Sequence, residues 1–241
     1  MTNTPIKTKN SVGNKELIRI VFAAILAALA ILVGYIEIVW PIAPHLKLDF
    51  SEVIVLASLV LIGFKHTIGV IVVRSVVRWL ITGRTDVPFP FFGESIAIIA
   101  SIALVIFFLL ISKLLKISNK REEETETRSR GPYDIRYSGP GSLFAKEIAL
   151  IAIVTVLMAL FMTTINFFIV TPAYASKGSH VFFTTFVNSG EYGFNAVDGY
   201  VPYLIAMIVM YIPFNLIKFA SCLFLFMLIK KPLISEINLR S

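Results

Sequence analysis

The stretch Ile20–Ile36, IVFAAILAALAILVGYI, decides the fold, because its 17 residues include no charged side chain. An α-helix rises about 1.5 Å per residue, so this stretch would reach about 25 Å, most of the hydrocarbon thickness of a bilayer. A polar segment containing Lys7, Lys9 and Lys15 precedes it, and no small-residue cleavage site follows it. We therefore expect a membrane-spanning helix over Leu17–Trp40 that is retained, in contrast to a cleaved signal peptide.

The composition of the whole chain also indicates a membrane protein. Of its 241 residues, 57% are hydrophobic and 15% are charged, and the mean hydropathy is +0.83. Soluble domains are about 45–50% apolar and about 25% charged. The single cysteine, Cys222, excludes an internal disulfide and a cysteine-based metal cluster. The net charge is +7. In a membrane protein, such an excess of basic residues usually lies in the cytoplasmic loops, so we expect no nucleic-acid partner.

Five further apolar runs predict an all-α, polytopic membrane protein with six transmembrane helices in a single membrane domain, residues 1–241. The predicted spans after the first are Val53–Phe64, Ile68–Thr82, Ile96–Leu115, Ile148–Val170 and Val201–Ile229. The second and third runs are short, so we expect them to be surrounded by protein or tilted in a thinned bilayer. At the start of the second run, Asp49 and Glu52 have the spacing of a capping box, in which Asp49 caps the helix and Glu52 reaches back.

The placement of basic residues predicts the orientation of these helices. Lysines and arginines concentrate before the first run, after the second, in the polar stretch 116–143 and after the last run. Because basic residues favour the cytoplasmic side, we expect both termini in the cytoplasm. Residues 1–16 then form a cytoplasmic N-terminal segment, residues 116–143 a charged cytoplasmic linker, and residues 171–200 an outer loop rich in aromatic side chains.

Two arginines within the third run are the first candidate binding residues. Arg74 and Arg78 are four positions apart and share one helix face, and Arg84 follows shortly after. A guanidinium in lipid is costly, so this face should meet a polar cavity or the carboxylates at neighbouring helix ends, Glu52, Asp49 and Glu94. The arginines either form structural ion pairs with those carboxylates or bind a carboxylate or phosphate group on a ligand.

Polar residues in the last two runs form a second candidate set. Asn215 and Lys218 lie within Pro213-Phe-Asn-Leu-Ile-Lys218, three positions apart on one helix face. Lys218 either takes part in binding or extends its ammonium toward the membrane interface. Asn166 is polar within the fifth run, where we expect it to form a hydrogen bond inside the bundle.

Small residues on the first helix form two overlapping pairs with four-residue spacing, Ala23/Ala27 and Ala24/Ala28. Small residues at this spacing allow another helix to approach closely. The partner helix belongs either to a second protein or to this chain.

Six spans, these alanine pairs, Leu46-Lys-Leu-Asp-Phe-Ser51 and the Pro213–Lys218 string together resemble the substrate-binding S components of energy-coupling factor (ECF) vitamin transporters, above all the riboflavin branch. The resemblance implies a bacterial cell-membrane protein that binds a vitamin near its outer face. It implies docking, through Ala23, Ala24, Ala27 and Ala28, on a transmembrane coupling subunit driven by two ATPase subunits. Membrane lipid surrounds such a protein, and the chain needs no cofactor because the ATP is used by the partner subunits.

The pair Arg74 and Arg78 departs from the riboflavin branch and looks more like pantothenate-type S components. Because pantothenate carries a carboxylate and riboflavin is neutral, we expect pantothenate as the ligand, with riboflavin as the alternative. A third hypothesis is a structural membrane subunit that binds no ligand. An enzyme is not expected, because no nucleophile–base pair or metal-ligand spacing occurs. The predicted substrate-binding residues are Arg74, Arg78, Arg84, Asp49, Glu94, Asn166, Asn215 and Lys218.

Overall fold

The computed structural model of the chain describes residues 10–41, 46–83, 89–115, 117, 140–175 and 200–239. Several predictions concern other parts of the chain. Arg84, residues 1–9, most of the 116–143 linker and most of the 171–200 outer loop lie outside the described residues.

The described residues form a helical bundle with one small β-ribbon. The helices are α1 (Asn10–Gly34), α2 (Ser51–Ile62), α3 (Phe64–Thr82), α4 (Phe92–Leu114), α5 (Pro140–Ile165), α6 (Thr171–Ala175) and α7 (Tyr200–Leu239). A π-helical segment, Asn166–Val170, joins α5 to α6. The two strands of the ribbon are β1 (Ile38–Val39) and β2 (Lys47–Leu48). The helical class is therefore as predicted.

The first helix differs from the predicted span at both ends. It begins at Asn10 and ends at Gly34, whereas the prediction extended it to Trp40. Beyond Gly34 the chain turns into the antiparallel ribbon, in which Ile38 is opposite Leu48. Two physical reasons explain the difference. The β-branched pair of β1 favours extended backbone, and Glu37 forms ion pairs with residues of β2 and α3 instead of continuing the helix.

Among the described residues, four helical stretches are long and apolar enough to cross a membrane: Glu16–Gly34, Phe92–Leu114, Phe144–Ala173 and Tyr203–Lys230. Helix α2 is not among them, because its 12 residues would span about 18 Å of a hydrocarbon core about 30 Å thick. Helix α3 follows after a single residue, Gly63, whose φ of 84° lies in the left-handed region. The six-span topology and the cytoplasmic termini thus stay predictions.

Helix α2 lies in the core of the bundle, where it packs with α4, α5 and α7. Leu56, Leu104, Met158 and Leu223, one from each of these helices, are fully buried. A second cluster, containing Ala27, attaches α1 to α2 and α3. Because α2 is covered by other helices, it does not need the length of a lipid-exposed span.

The last two helical regions are longer than predicted. Helix α5 begins at Pro140, and through the π-helical segment the chain stays helical to Ala175, which is already within the predicted outer loop. A π-helical turn leaves backbone carbonyls without their usual partners. The hydroxyl of Tyr203 on α7 donates to one of them, the carbonyl of Phe167, at 2.8 Å. Helix α7 continues through Pro213 to Leu239.

Candidate functional site: a buried charged cluster

A group of charged side chains lies where α1 ends, α2 begins, and α3, α4 and α7 pass. We call it the charged cluster; its members are Glu37, Lys47, Asp49, Glu52, Arg74, Arg78, Glu94 and Lys218. Ser51 and Ser101 add hydroxyl groups to it. Five of the eight predicted binding residues, namely Asp49, Arg74, Arg78, Glu94 and Lys218, are therefore brought together, although they are far apart in the chain.

Arg74 is the most deeply buried cation of the cluster, with 3% of the residue exposed. Its Nη1 donates to Ser51 Oγ at 3.0 Å and to Glu52 Oε1 at 3.2 Å. Its Nη2 donates to Ser101 Oγ at 2.7 Å, and this hydroxyl in turn donates to Glu52 Oε1 at 2.6 Å. The guanidinium thus joins α2, α3 and α4. Of the two hypotheses for this arginine, the geometry favours the structural ion pair.

Arg78, one turn further along α3, connects the ribbon to the bundle. Its Nη2 donates to Glu37 Oε1 at 2.9 Å, and its Nε lies 3.6 Å from Glu94 Oε1 on α4. The other oxygen of Glu37 accepts from Lys47 on β2. Arg78 and Glu37 are both 18% exposed at the side chain, so this part of the cluster is nearer to the surface than Arg74.

The predicted capping box at the start of α2 is wrong. The cap position is Phe50, which makes no side-chain capping bond. Asp49 Oδ1 instead accepts from the backbone nitrogen of Ser51 at 3.2 Å and from the Ser51 hydroxyl. Glu52 does not reach back, because Arg74 offers its carboxylate a charge-assisted bond, which is stronger than one from a neutral amide.

Lys218 ties α7 to the segment between β2 and α2. Its Nζ donates to Asp49 Oδ2 at 2.9 Å, and Cys222 Sγ, one turn later, donates to the Asp49 carbonyl at 3.7 Å. Lys218 therefore does not extend to an interface. Burial by itself would raise the pKa of Asp49, but the charge of Lys218 and the hydrogen bond from Ser51 outweigh it and hold that pKa well below its ordinary value. The carboxylate is ionised at neutral pH.

The two predicted asparagines lie outside the charged cluster. Asn215 is buried on α7 and donates to Thr163 Oγ1 on α5 at 3.4 Å, a long and therefore weak hydrogen bond. Asn166 donates to the carbonyl of Met162 in its own helix at 2.7 Å. Both side chains thus form hydrogen bonds inside the bundle, as expected for Asn166.

The charges of the cluster balance. Each of its four cations, Lys47, Arg74, Arg78 and Lys218, lies within 4 Å of one of its four carboxylates. Four buried polar side-chain atoms have no hydrogen-bond partner among the described residues: Glu52 Oε2 in the cluster, Ser75 Oγ, Trp40 Nε1 and Thr155 Oγ1. The Trp40 ring meets Phe214, the neighbour of Asn215, edge to face at 5.8 Å. Across the same parts of the chain, no group of three His, Cys, Asp or Glu side chains could hold a metal ion.

The binding prediction missed Glu37, Lys47, Ser51 and Ser101, and it treated Glu52 only as a cap and ion-pair candidate. A signal existed for Glu37, since it is the first charged residue after the uncharged stretch and had to find a cation near the end of α1. No sequence signal singles out Ser101, and Ser51 was noted only as the end of the Leu46–Ser51 string; both become partners of Arg74 through the packing of α2 and α4 against α3.

The alanine pairs on α1 divide between two faces. Ala27 is 2% exposed and packs with residues of α2 and α3, and Ala23 is half-buried against the same cluster. Ala24 and Ala28 are exposed. One pair is therefore used for close packing inside the chain, and the other lies on the surface of the bundle.

The chain is similar to known proteins both in sequence and in fold. The family model described as the ECF transporter, substrate-specific component, matches residues 18–230. A solved structure reported under "Structure and mechanism of the S component of a bacterial ECF transporter" aligns with a TM-score of 0.54 and 22% sequence identity. The alignment covers 92% of this chain and 97% of that one, so the fold is shared over nearly the full length. No curated protein matches the chain.

Proposed function

The chain belongs to the family of substrate-specific components of ECF transporters, and we propose that it binds a water-soluble vitamin for uptake into a bacterial cell. It is thus a membrane protein of a family of transporter subunits that bind a substrate and are not enzymes. The fold agrees with this assignment, as the structural alignment extends over 92% of the chain.

The observation that carries the proposal is the contact between the two sequence strings on which the resemblance to S components rests. Asp49, in Leu46–Ser51, and Lys218, at the end of Pro213–Lys218, form an ion pair of 2.9 Å. Their separation in the chain is 169 residues. A polar contact between two such segments, inside an otherwise apolar bundle, is the kind of place where a membrane protein binds a polar ligand.

The charge balance of the cluster favours a neutral vitamin, and riboflavin is the neutral candidate. A carboxylate ligand needs a cation that is free to receive it, but each of the four cations of the charged cluster already has a carboxylate partner. An added negative charge would give the cluster five anionic groups against four cations, which is unfavourable for buried charges. A neutral ligand binds without displacing any of these carboxylates from its cation.

Pantothenate, the ligand expected from the two arginines, is the second candidate. The observation that favours it is the position of Arg78, which is 18% exposed and lies between Glu37 and Glu94. A ligand carboxylate that displaced Glu37 would take over its bond to Nη2. In that mode Arg84 would be a further binding residue.

The proposal includes the partners of the transporter. The exposed pair Ala24 and Ala28 gives α1 a flat surface for a helix of the coupling subunit. Two separate ATPase subunits would drive that subunit, and both termini of this chain would lie in the cytoplasm. The polar binding site would then open toward the outer face.

The test is thermal unfolding of the purified protein in detergent with riboflavin, pantothenate and other B vitamins in turn. A ligand at 100 times its Kd that binds only the folded state adds about 2.7 kcal/mol, which corresponds to a rise of about 5–11 °C in Tm. A rise with riboflavin alone supports the neutral-ligand proposal. A rise with pantothenate that Arg78→Ala abolishes supports the second candidate. If no vitamin changes the Tm, both are wrong, and a subunit without a ligand becomes the better explanation.

A further inference from the structure

One buried carboxylate oxygen in the charged cluster, Oε2 of Glu52, has no hydrogen-bond partner among the described residues. Glu52 is 4% exposed, and its Oε1 receives hydrogen bonds from Arg74 and Ser101. Its Oε2 is buried and accepts from no donor in the described part of the chain. Buried polar atoms almost always have a partner, and a carboxylate oxygen is among the most costly to leave without one.

We infer that Glu52 is a substrate-binding residue whose Oε2 accepts a hydrogen bond from the ligand. The inference rests on the proposed function and specifies its chemistry. The ligand must present an O–H or N–H donor at this point, and a ligand that offers only acceptors there is rejected.

The orientation of Glu52 supports this role. Arg74 and Ser101 both bind the same oxygen, Oε1, at 3.2 and 2.6 Å. These two bonds, from α3 and α4, fix the carboxylate at the start of α2 and leave the second oxygen in a set direction. A fixed acceptor needs no reorganisation when a donor arrives, which favours discrimination between ligands.

The surroundings of Glu52 place it in the candidate binding region. Its chain neighbour Ser51 bonds to Asp49, and Asp49 pairs with Lys218. Cys222, one turn after Lys218 on α7, donates to the carbonyl of the same Asp49 at 3.7 Å. The unpaired oxygen therefore belongs to the region where the Leu46–Ser51 and Pro213–Lys218 strings meet.

Riboflavin has donors of two kinds, the imide N3–H of its ring system and the hydroxyls of its ribityl chain. Removing the donor that Glu52 uses should weaken binding roughly 10–100-fold, the range for a hydrogen bond to a charged group. Two analogues separate the possibilities: N3-methylriboflavin has a methyl group in place of the imide hydrogen, and lumiflavin has a methyl group in place of the whole ribityl chain with its hydroxyls.

The experiment is a titration of the full chain in detergent with riboflavin and with both analogues, in which flavin fluorescence is used to obtain Kd. The wild-type protein should bind one analogue roughly 10–100-fold more weakly than riboflavin. Glu52→Gln should bind riboflavin more weakly and discriminate less between riboflavin and that analogue. A matched control is Thr155→Val, because Thr155 is also buried without a partner among the described residues but lies on α5, which contributes nothing to the cluster.

The outcomes separate this inference from the proposed function. If wild-type protein binds riboflavin and both analogues with the same Kd, Glu52 accepts nothing from the ligand and the inference is wrong, while the proposed function stands. If Glu52→Gln does not fold because Arg74 loses its partner, equal Kd values of the wild-type protein for riboflavin and both analogues still overturn the inference. If riboflavin does not bind but pantothenate does, the same comparison uses pantothenate and its hydroxyl-methylated analogues. If neither vitamin binds, the proposed function and this inference fail together.

Discussion

Replacing Lys218 by methionine should destabilise the protein strongly, because the change leaves the Asp49 carboxylate without its cation. Lys218 Nζ lies 2.9 Å from Asp49 Oδ2, and the two side chains are 18% and 14% exposed. Removal of one partner from a buried ion pair costs about 3–5 kcal/mol. For a chain of this size, 1 kcal/mol corresponds to about 2–4 °C, so the Tm should fall by about 6–20 °C. The partial exposure of both side chains favours the lower half of that range.

The assay is thermal unfolding in detergent of the wild type, Lys218→Met, Asp49→Asn and the double variant. The double variant leaves neither charge unpaired and should regain at least half of the loss, so the two substitutions should not be additive. Lys113→Met is the matched control, since Lys113 is an exposed lysine at the end of α4 and should change the Tm by about 2 °C or less. The reasoning is refuted if Lys218→Met unfolds at the wild-type temperature, or if the double variant is less stable than both single variants.

Three further substitutions test other contacts. Arg74→Met should lower the free energy of unfolding by about 3–5 kcal/mol, visible as a Tm loss that exceeds that of any exposed arginine. Tyr203→Phe removes one hydrogen bond to the π-helical segment and should cost about 0.5–1.5 kcal/mol; an unchanged Tm would mean that water replaces the hydroxyl. Leucine at Ala24 and Ala28 should abolish co-purification with the coupling subunit at unchanged Tm, whereas Ala27→Leu should lower the Tm through overpacking that costs about 1–3 kcal/mol. Equal effects of the three leucines on co-purification would contradict the division of α1 into two faces.

The helices were predictable because a long apolar run has few alternatives to a helix in a membrane protein. The residues at which the helices end were harder to predict. Helix α1 ends at Gly34 and not at Trp40 because the ribbon and the ion pairs of Glu37 compete with further helix. The chain stays helical past the predicted end at Val170, through the π-helical segment and α6, and a hydrogen bond from α7 supports the π-helical turn. Each of these helix ends depends on contacts with another helix or strand. The pattern of apolar residues along a single helix contains no information about such contacts.

The sequence allowed us to predict which charged residues belong to the candidate site, but not which of them form ion pairs with one another. A charged residue in an apolar run must find a partner, and this argument identified Arg74, Arg78 and Lys218. It could not choose between partners, since Asp49 serves Lys218 on α7, 169 residues away, while Glu52 serves Arg74. The capping box failed for the same reason: local spacing described what Glu52 could reach within its own helix, and a cation on α3 was the stronger partner.

The depth of the charged cluster limits what the site can accept. The first residues of α2, Ser51 and Glu52, are buried, and the side chain of Asp49, paired with Lys218 of α7, is 14% exposed. At such a depth charges are stable only in balanced pairs, because each unpaired charge costs several kcal/mol. Any ligand must preserve that balance, either by being neutral or by displacing a carboxylate of equal charge. An exchange at Arg78 costs less than one at Arg74, since Arg78 is more exposed and keeps Glu94 when Glu37 leaves. Whether the site accepts a neutral or an anionic vitamin thus depends on one contact, the hydrogen bond from Arg78 to Glu37.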